Sequence, residues 1–435
     1  MKSEIGILVI FLLASTSTLI PVAAVLTGSS NRHAITSTNN VTPTAIGTYA
    51  EDYVFVGGQN GSWFHLGQFP RLYKISLQDF SSTQLNPVSS GGTVWGGGYN
   101  GSQLLVSGWG SDDESHGPYV WLYNGANVVA SGSLDDYGQA SSWNGGDIFS
   151  ASYNGREWLL SGLGSGPLPP YSDEAINHMS LGTFNGSAFT DLSSLVPDQQ
   201  DAILYTNAWN GQYWLIGGGY LSTAVLFTFD GNTTVNLAAA AKNAIPTLGS
   251  VQAIGWNGNY WLIGGIGFLA EYDGKRFLDL TPQLERALST YDFDSVNAIA
   301  WNGQSWLIGG GTAIAQLYPS YAWFIAYNSN RFTQASPELP TYMSSPSSIL
   351  AITSVNGMWF LGGYSANKGI LLTYNDGILT DYSNLVSGFS YVHWLSNLQV
   401  LAFGKVDYGL QSHLIPIPEL DVKSYDLLSE LHILE

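Results

Sequence analysis

The chain has 435 residues and no cysteine, and its 13 Lys and Arg against 32 Asp and Glu give a formal net charge of −19. The missing cysteines exclude disulfides, thiolate metal sites and cysteine nucleophiles, and the acidic balance argues against binding of a nucleic-acid backbone. Hydrophobic residues make up 45% of the chain, which also contains 51 glycines, so the composition indicates a large core of short strands and tight turns.

The N-terminal segment predicts export. Lys2 precedes an apolar run over residues 5–14, and small residues follow at 22–24, as in a secretory signal peptide. We assign residues 1–27 to a signal peptide, or to an N-terminal anchor if the segment is retained, because apolar character continues to Leu26. Residues 28–42 are rich in Ser, Thr and Asn and are expected to form a linker. The protein is therefore predicted to be secreted or held at the cell surface.

Glycosylation would fit an exported protein. The acceptor pattern Asn-x-Ser/Thr occurs at Asn40, Asn60, Asn100, Asn185 and Asn232. Three of these asparagines precede glycine, and Asn-Gly is also a favoured hairpin turn. For Asn60, Asn100 and Asn185, turn formation is therefore the alternative explanation.

A repeat of about 50 residues fills positions 43–435. The first unit covers 44–49 and 53–58, and the next two place Asn100 and Asn154 before a glycine. The most regular copies, at 209–218, 256–265 and 301–310, read Trp-Asn-Gly-x-x-Trp-Leu-Ile-Gly-Gly. This pattern predicts a strand, a tight turn and a second strand that ends in a glycine pair. A seventh unit has Asn356 in the turn, and a degenerate eighth covers 392–404 and 424–427.

Each unit has a second half, in which an Asp-Gly or Asn-Gly turn separates two further short strands, as at Asp273 and Asn185. Four short strands per repeat predict an all-β fold, a β-propeller of four-stranded antiparallel blades. Eight blades is the preferred count and seven is the alternative.

The order of Ala-Ile-x-Trp, turn, Trp-Leu-Ile-Gly-Gly, loop and Tyr-Asp-Gly resembles the kelch repeat over residues 43–431. The resemblance implies a propeller that serves more often as an interaction surface than as an enzyme. Kelch repeats carry tryptophan in the fourth strand, where this chain has Phe189, Phe277 and Phe332. Its own second-strand tryptophans, Trp158, Trp214, Trp261 and Trp306, are interpreted as packing between blades. Copper radical oxidases resemble this scaffold but need a tyrosine crosslinked to cysteine, so the composition excludes that chemistry.

Turn parity divides the predicted propeller into two faces. The turns after strands one and three are short, whereas the connections after strand two and between blades vary in length and composition. We call the second set the variable-loop face, and the first the turn face. Variable loops on a rigid scaffold favour binding. The candidate ligand-binding residues there are Trp109, Asp112, Asp113, Glu114, His116, Tyr171, Asp173, Glu174, Asp201, Asp292 and Asp294.

These residue types suit carbohydrate, because aromatic rings stack on sugars and carboxylates accept hydrogen bonds from hydroxyls; simple solvated loops are the alternative. Asp112, Asp113, Glu114 and His116 could hold calcium but lack a recognised ligand spacing, so no metal site or other cofactor is predicted. No catalytic residue is assigned.

The sequence predicts an extracellular binding module for protein or glycan. The first alternative is a carbohydrate-active enzyme of the glycoside hydrolase or lyase type that uses loop carboxylates. The second is a structural component of an extracellular assembly that associates with itself. Nucleic acid is not an expected partner, and membrane contact is expected only through a retained N-terminal segment.

Overall fold

The computed structural model describes residues 53–60, 69–85, 91–111, 116–124, 127–138, 143, 146–164, 178–197, 202–220, 222–288, 293–311, 321–328, 331–334, 339, 343–344, 346–366, 368–387, 389, 392, 400–401 and 406–407. The proposed signal segment at 1–27 and the linker at 28–42 lie outside these residues. Among the residues that are described, no helix is long and apolar enough to cross a membrane.

The chain is an all-β propeller built from antiparallel sheets. Blade 1 has three described strands, β1 (Tyr53–Asn60), β2 (Phe69–Ser76) and β3 (Ser82–Leu85). Blade 2 has β4 (Gly91–Tyr99), β5 (Leu104–Ser111), β6 (His116–Tyr123) and β7 (Val128–Ser133). Blade 3 has β8 (Asp147–Tyr153), β9 (Trp158–Gly164), β10 (His178–Phe184) and β11 (Phe189–Asp191).

The later blades repeat this order. Blade 4 has β12 (Ile203–Trp209), β13 (Trp214–Tyr220), β14 (Thr223–Phe229) and β15 (Thr234–Asn236). Blade 5 has β16 (Val251–Trp256), β17 (Trp261–Gly265), β18 (Phe268–Tyr272) and β19 (Phe277–Asp279). Blade 6 has β20 (Ser295–Trp301), β21 (Trp306–Gly311), β22 (Trp323–Asn328) and β23 (Arg331–Gln334). Blade 7 has β24 (Ser347–Val355), β25 (Met358–Ser365), β26 (Lys368–Asn375) and β27 (Ile378–Asp381).

The first strand of each of blades 2–7 forms the inner wall of the propeller. β4 contacts β8, and the contacts continue through β12, β16 and β20 to β24. The fourth strands lie at the rim, and most are only three or four residues long. Helices α1 (Ala238–Ala244) and α2 (Thr281–Ala287) follow the outer strands of blades 4 and 5. Each helix packs against the third strand of its own blade and the outer strand of the next.

Apolar side chains fill the space between neighbouring blades. The second-strand tryptophans Trp158, Trp214, Trp261 and Trp306 are all fully buried, which confirms their interpretation as core. Three of their indole N–H groups donate across a blade boundary: Trp158 to the Gly98 carbonyl over 3.1 Å, Trp261 to the Tyr213 hydroxyl over 3.4 Å and Trp306 to the Tyr260 hydroxyl over 3.1 Å. The tryptophans therefore fix adjacent blades to one another.

Blade 7 packs directly against blade 1. Ile75 of β2 belongs to the same buried cluster as Leu350, Phe360 and Val392, and Phe80 stacks on Tyr382 with ring centroids 4.1 Å apart. The eighth repeat lies mostly outside the described residues, apart from a short hairpin of β28 (Val400–Leu401) and β29 (Val406–Asp407). The contact favours the seven-bladed alternative, and the blade count stays a prediction.

Candidate binding site at the inner wall of the propeller

On the turn face, the polar groups of the turns bond to one another. Asn257 Oδ1 accepts the backbone N–H groups of Asn259 and Tyr260, each over 2.9 Å. The same two-bond geometry occurs at Asn100, Asn154, Asn185, Asn210, Asp230, Asp273 and Asn302. At Asp273, the N–H groups of Arg276 and Lys275 lower the pKa of the carboxyl. These Asx turns explain the repeated Asn-Gly pattern and leave this face uniform.

The inner wall has a second repeating feature, which sequence reasoning missed. Every first strand of blades 2–7 contains a β-bulge near its beginning, at the end next to the variable-loop face. One residue per blade is skipped in the pairing with the second strand. The skipped residues, which we call the bulge ring, are Trp95, Phe149, Tyr205, Gln252, Asn297 and Leu350.

The glycine pairs of the repeat make room for these bulges. A Cβ on the second glycine would overlap a backbone carbonyl at the beginning of the first strand: that of Ser250, the residue before β16, at Gly265, and that of Ser348 in β24 at Gly363. The first glycine leaves space for an aliphatic side chain of the next blade, such as Val296 against Gly264. These aliphatic neighbours fill the blade boundary. The bulge residues themselves are all buried, and Leu350 belongs to the cluster between blades 7 and 1.

One half of the bulge ring is aromatic. The Trp95 and Phe149 rings lie 4.9 Å apart and those of Phe149 and Tyr205 lie 6.0 Å apart, so the contacts connect three successive first strands. Leu163 completes this buried cluster. Burial raises the pKa of the Tyr205 phenol, with a smaller contribution from Tyr220. This half is an apolar wall with one phenol at its end.

In the other half, Gln252 and Asn297 carry amides, and the third residue is Leu350. Gln252 donates from Nε2 to Ser250 Oγ over 3.1 Å, and Asn297 donates from Nδ2 to Ser348 Oγ of the next blade over 2.6 Å. The opposite ends, Gln252 Oε1 and Asn297 Oδ1, are buried and have no hydrogen-bond partner among the described residues. Ser295 Oγ is also buried and has no hydrogen-bond partner among the described residues. Unpaired buried acceptors are rare in folded proteins and mark a place where a donor is missing.

Asp147 adds a carboxyl group beside the aromatic half. It begins β8, is 7% exposed, and its Oδ1 accepts the indole N–H of Trp95 over 2.9 Å. Burial raises the pKa of this carboxyl to about 7, although the Trp95 bond acts in the opposite direction. Asp147 is therefore partly protonated near neutral pH, whereas an exposed aspartate is not.

The structure describes two of the predicted ligand residues with their side chains. Trp109 is half-buried near the end of β5 and pairs with Thr93 and Pro118. Asp294 lies just before β20, and its carbonyl accepts the N–H of Gly267 in blade 5 over 3.0 Å. Both are on the variable-loop face, as predicted, and both remain predictions as ligand residues.

For His116, at the start of β6, the backbone alone is described. The remaining candidates lie outside the described residues: Asp112, Asp113, Glu114, Tyr171, Asp173, Glu174, Asp201 and Asp292. The three carboxylates of the calcium alternative at 112–114 therefore lie outside the described residues, and that alternative stays a prediction. Across the part of the chain that is described, no group of three or more His, Cys, Asp and Glu could hold a metal.

The glycosylation sites also remain predictions. Asn185 and Asn232 are exposed and Asn100 is half-buried. Asn100 and Asn185 use Oδ1 in their Asx turns. Asn60 is described as backbone in β1, and Asn40 lies outside the described residues.

The repeats did contain a signal for the amide half. Copies five and six read Val-Gln-Ala-Ile and Val-Asn-Ala-Ile at 251–254 and 296–299. A polar residue between apolar neighbours fits ordinary strand alternation, and this hides the bulge. No comparable pattern pointed to Asp147.

No protein-family model matches this chain, and neither does any curated protein, so the kelch resemblance rests on the repeat residues alone. Among solved structures, the chain is similar to the β-propeller domain of the Trilobed protease from Pyrococcus furiosus, described as having an open velcro topology. The identity is 9% and the TM-score 0.44, over 76% of this chain and 91% of that one.

It is also similar to the acylaminoacyl peptidase of Pyrococcus horikoshii, at 10% identity and a TM-score of 0.45 over 77% of this chain. An acylaminoacyl peptidase in complex with Z-Gly-Gly-Phe-chloromethyl ketone matches with the same values. The match covers 51% of each peptidase chain, so this chain spans about half of their length. At such identities the similarity concerns the fold.

Proposed function

We propose that this protein is a non-catalytic binding module that holds a protein or glycan ligand at the variable-loop face, above the bulge ring. The observation that carries the proposal is a group of buried acceptors on two neighbouring inner strands that have no partner among the described residues. On the turn face, the Asx turns bond their own polar groups. At the other end, Gln252, Ser295 and Asn297 keep buried polar atoms without a partner among the described residues.

The test compares two half-buried tryptophans on opposite faces. Binding of the purified protein to panels of glycans and peptides would be measured before and after Trp109→Ala, with Trp256→Ala on the turn face as the matched control. We expect Trp109→Ala to weaken the strongest interaction about tenfold or more, because buried aromatic anchors dominate binding energy. Equal effects of both variants, in proteins that remain folded, would contradict the assignment of the face.

A glycoside hydrolase or lyase is the second candidate, and Asp147 is the observation that favours it. A carboxyl with a pKa near 7 can act as a general acid at neutral pH. Such an enzyme needs a second carboxyl within about 5–10 Å, whereas the described hydrogen-bond partner of Asp147 is the Trp95 indole. Turnover of glycans by the unaltered protein that disappears in Asp147→Asn would establish the enzyme in place of the binding module.

A further inference from the structure

We propose that N-linked glycans cover the turn face over blades 2, 3 and 4, attached at Asn100, Asn185 and Asn232. These asparagines lie in hairpin turns of three consecutive blades, between β4 and β5, between β10 and β11, and between β14 and β15. No acceptor pattern follows Asn232 in the chain, so the turns of blades 5–7 stay bare. The inference goes beyond the proposed function and rests on the predicted export of the protein.

The first step separates the acceptor pattern from the needs of the turn. Four Asx turns of the same geometry have Arg, Gln or Asn two positions after the asparagine: those at Asn154, Asn210, Asn257 and Asn302. The turns at Asn100 and Asn185 have Ser102 and Ser187 there. Each serine Oγ donates to the same asparagine Oδ1 over 3.0 Å, a bond that the four other turns form without. The serines therefore exceed what the turn requires, and they complete the Asn-x-Ser pattern.

The second step is the atom that takes the sugar, which is the asparagine Nδ2. At Asn100 and Asn185 the fold uses Oδ1 as the acceptor, while Nδ2 has no hydrogen-bond partner among the described residues. Asn185 is exposed. Asn100 is half-buried, but its Nδ2 is not a buried atom. The amide nitrogen is thus available at both positions without a change in the turn.

The third step is Asn232, whose side chain has no part in its turn. Asp230 provides the accepting carboxyl there, and Asn232 contributes its backbone N–H over 2.8 Å. The same position is occupied by Ser187 in blade 3 and by Lys275 in blade 5, so the turn does not fix the residue type. Because the Asn232 side chain is exposed, a glycan on it would project from the outer turn of blade 4.

The modification is a group transfer from an oligosaccharide carried on a lipid phosphate or diphosphate. Nδ2 forms a bond to the anomeric carbon of the sugar, and the bond between that carbon and the phosphate oxygen breaks. The lipid phosphate leaves with the electron pair, and Nδ2 loses one proton. The product keeps Oδ1, so the backbone N–H groups of the turns at Asn100 and Asn185 retain their acceptor.

The consequence is a propeller with two unlike faces. N-linked glycans are bulky and hydrophilic, so three of them on consecutive blades would keep a protein partner away from that part of the turn face. The variable-loop face lies at the opposite ends of the same strands and carries none of these three acceptors.

The test is glycopeptide mass spectrometry of the full chain purified from the cells that produce it naturally. We expect sugar masses on the peptides that contain Asn100, Asn185 and Asn232. Peptides that contain Asn210 and Asn257 are the internal controls, because these residues form Asn-Gly turns without the hydroxyl residue.

Variants then test the acceptor pattern apart from the turn. Ser102→Ala and Ser187→Ala should lose the sugar at their own turn completely, whereas Ser102→Thr and Ser187→Thr should keep it. Asn232→Gln should lose the third glycan. The backbone bonds to Oδ1 remain in the serine variants, so we expect them to fold with urea midpoints close to that of the unaltered protein.

Unmodified asparagine at all three positions would overturn the inference and would mean that the Asn-x-Ser patterns serve the turns alone. Sugar at only one or two of them would overturn the cover over three blades. Sugar that persists in the alanine variants would overturn the assignment of the acceptors. None of these outcomes depends on Trp109 or on ligand binding, so failure of this inference is distinguishable from failure of the proposed function.

Discussion

Asp147 holds its carboxyl group in a nearly dry part of the inner wall, with the Trp95 indole as a hydrogen-bond donor. Its pKa is raised from 3.8 to about 7. Between these values the folded protein binds more protons at this site than the unfolded chain does. The free energy of unfolding that depends on Asp147 therefore falls as the pH rises from about 4 to 7, and is constant above that range.

We predict that Asp147→Asn removes this pH dependence, because asparagine still accepts the Trp95 N–H but does not ionise. Relative to the variant, the unaltered protein should lose about 2–4 kcal/mol of stability between pH 4 and pH 8. Urea unfolding of both proteins at a series of pH values measures the difference. Parallel pH profiles would show that the pKa of this carboxyl is the same in the folded and unfolded states, and would contradict the prediction.

At the scale of one blade, the bulge and the glycine pair form one unit. The second glycine of the pair lies where the bulged first strand directs a carbonyl group toward it, so steric space, and not backbone conformation, demands glycine. Gly303 in the Asn-Gly turn is the opposite case. Its φ is +94° and nothing lies within 4 Å of an added Cβ, so backbone conformation alone demands glycine there.

Two alanine substitutions separate these causes. Gly303→Ala should cost about 1–2 kcal/mol, the penalty for a left-handed residue with a side chain. Gly265→Ala should cost about 3 kcal/mol or more, because the methyl group would overlap the Ser250 carbonyl and approach Phe268 to 2.8 Å. Urea midpoints of the two variants test the order. A smaller loss of stability for Gly265→Ala than for Gly303→Ala would mean that the bulge shifts to accommodate the methyl group at little cost in free energy.

At the scale of the whole molecule, the boundary between blades 7 and 1 brings the two ends of the described repeats together. Phe389 contacts Tyr73 with ring centroids 5.1 Å apart, and its carbonyl accepts the N–H of Gly369 over 2.7 Å. The Val392 N–H donates to the Gly363 carbonyl over 2.8 Å. Because repeat blades contact mainly their neighbours, this boundary connects the first and last of them and makes unfolding cooperative.

We predict that Phe389→Ala lowers stability by about 3–5 kcal/mol and increases hydrogen exchange first in blades 1 and 7. Phe189→Ala is the matched control, since both rings are about equally buried, at 4% and 5%, and Phe189 lies within blade 3. The control should lose similar stability but show no such regional pattern. Identical exchange maps for the two variants would argue against a special role for this boundary.

Much of the blade could be predicted from short-range sequence. The Asn-Gly turns at Asn210, Asn257 and Asn302, the strands on either side and the buried tryptophans all follow from local patterns that recur. A tight turn and an alternating strand depend on residues only a few positions apart. Recurrence then identifies the repeat, and the repeat predicts a propeller.

The candidate site could be predicted only in part. The sequence predicted that Trp109 and Asp294 lie on the variable-loop face, and the structure places both there; the role of that face in binding stays a prediction. The sequence did not reveal the bulge ring or Asp147. A bulge inserts one residue into an alternating strand without any change in composition, and the pKa of Asp147 depends on Trp95, which lies in the preceding blade.

The sequence by itself thus determined the strand order, the turn chemistry and the difference between the two faces, because these depend on neighbouring residues along the chain. The tertiary structure alone decided which side chains meet at the inner wall and that blade 7 packs against blade 1. Those contacts join residues roughly one repeat or more apart, and their geometry exists only after the blades have packed around a common axis.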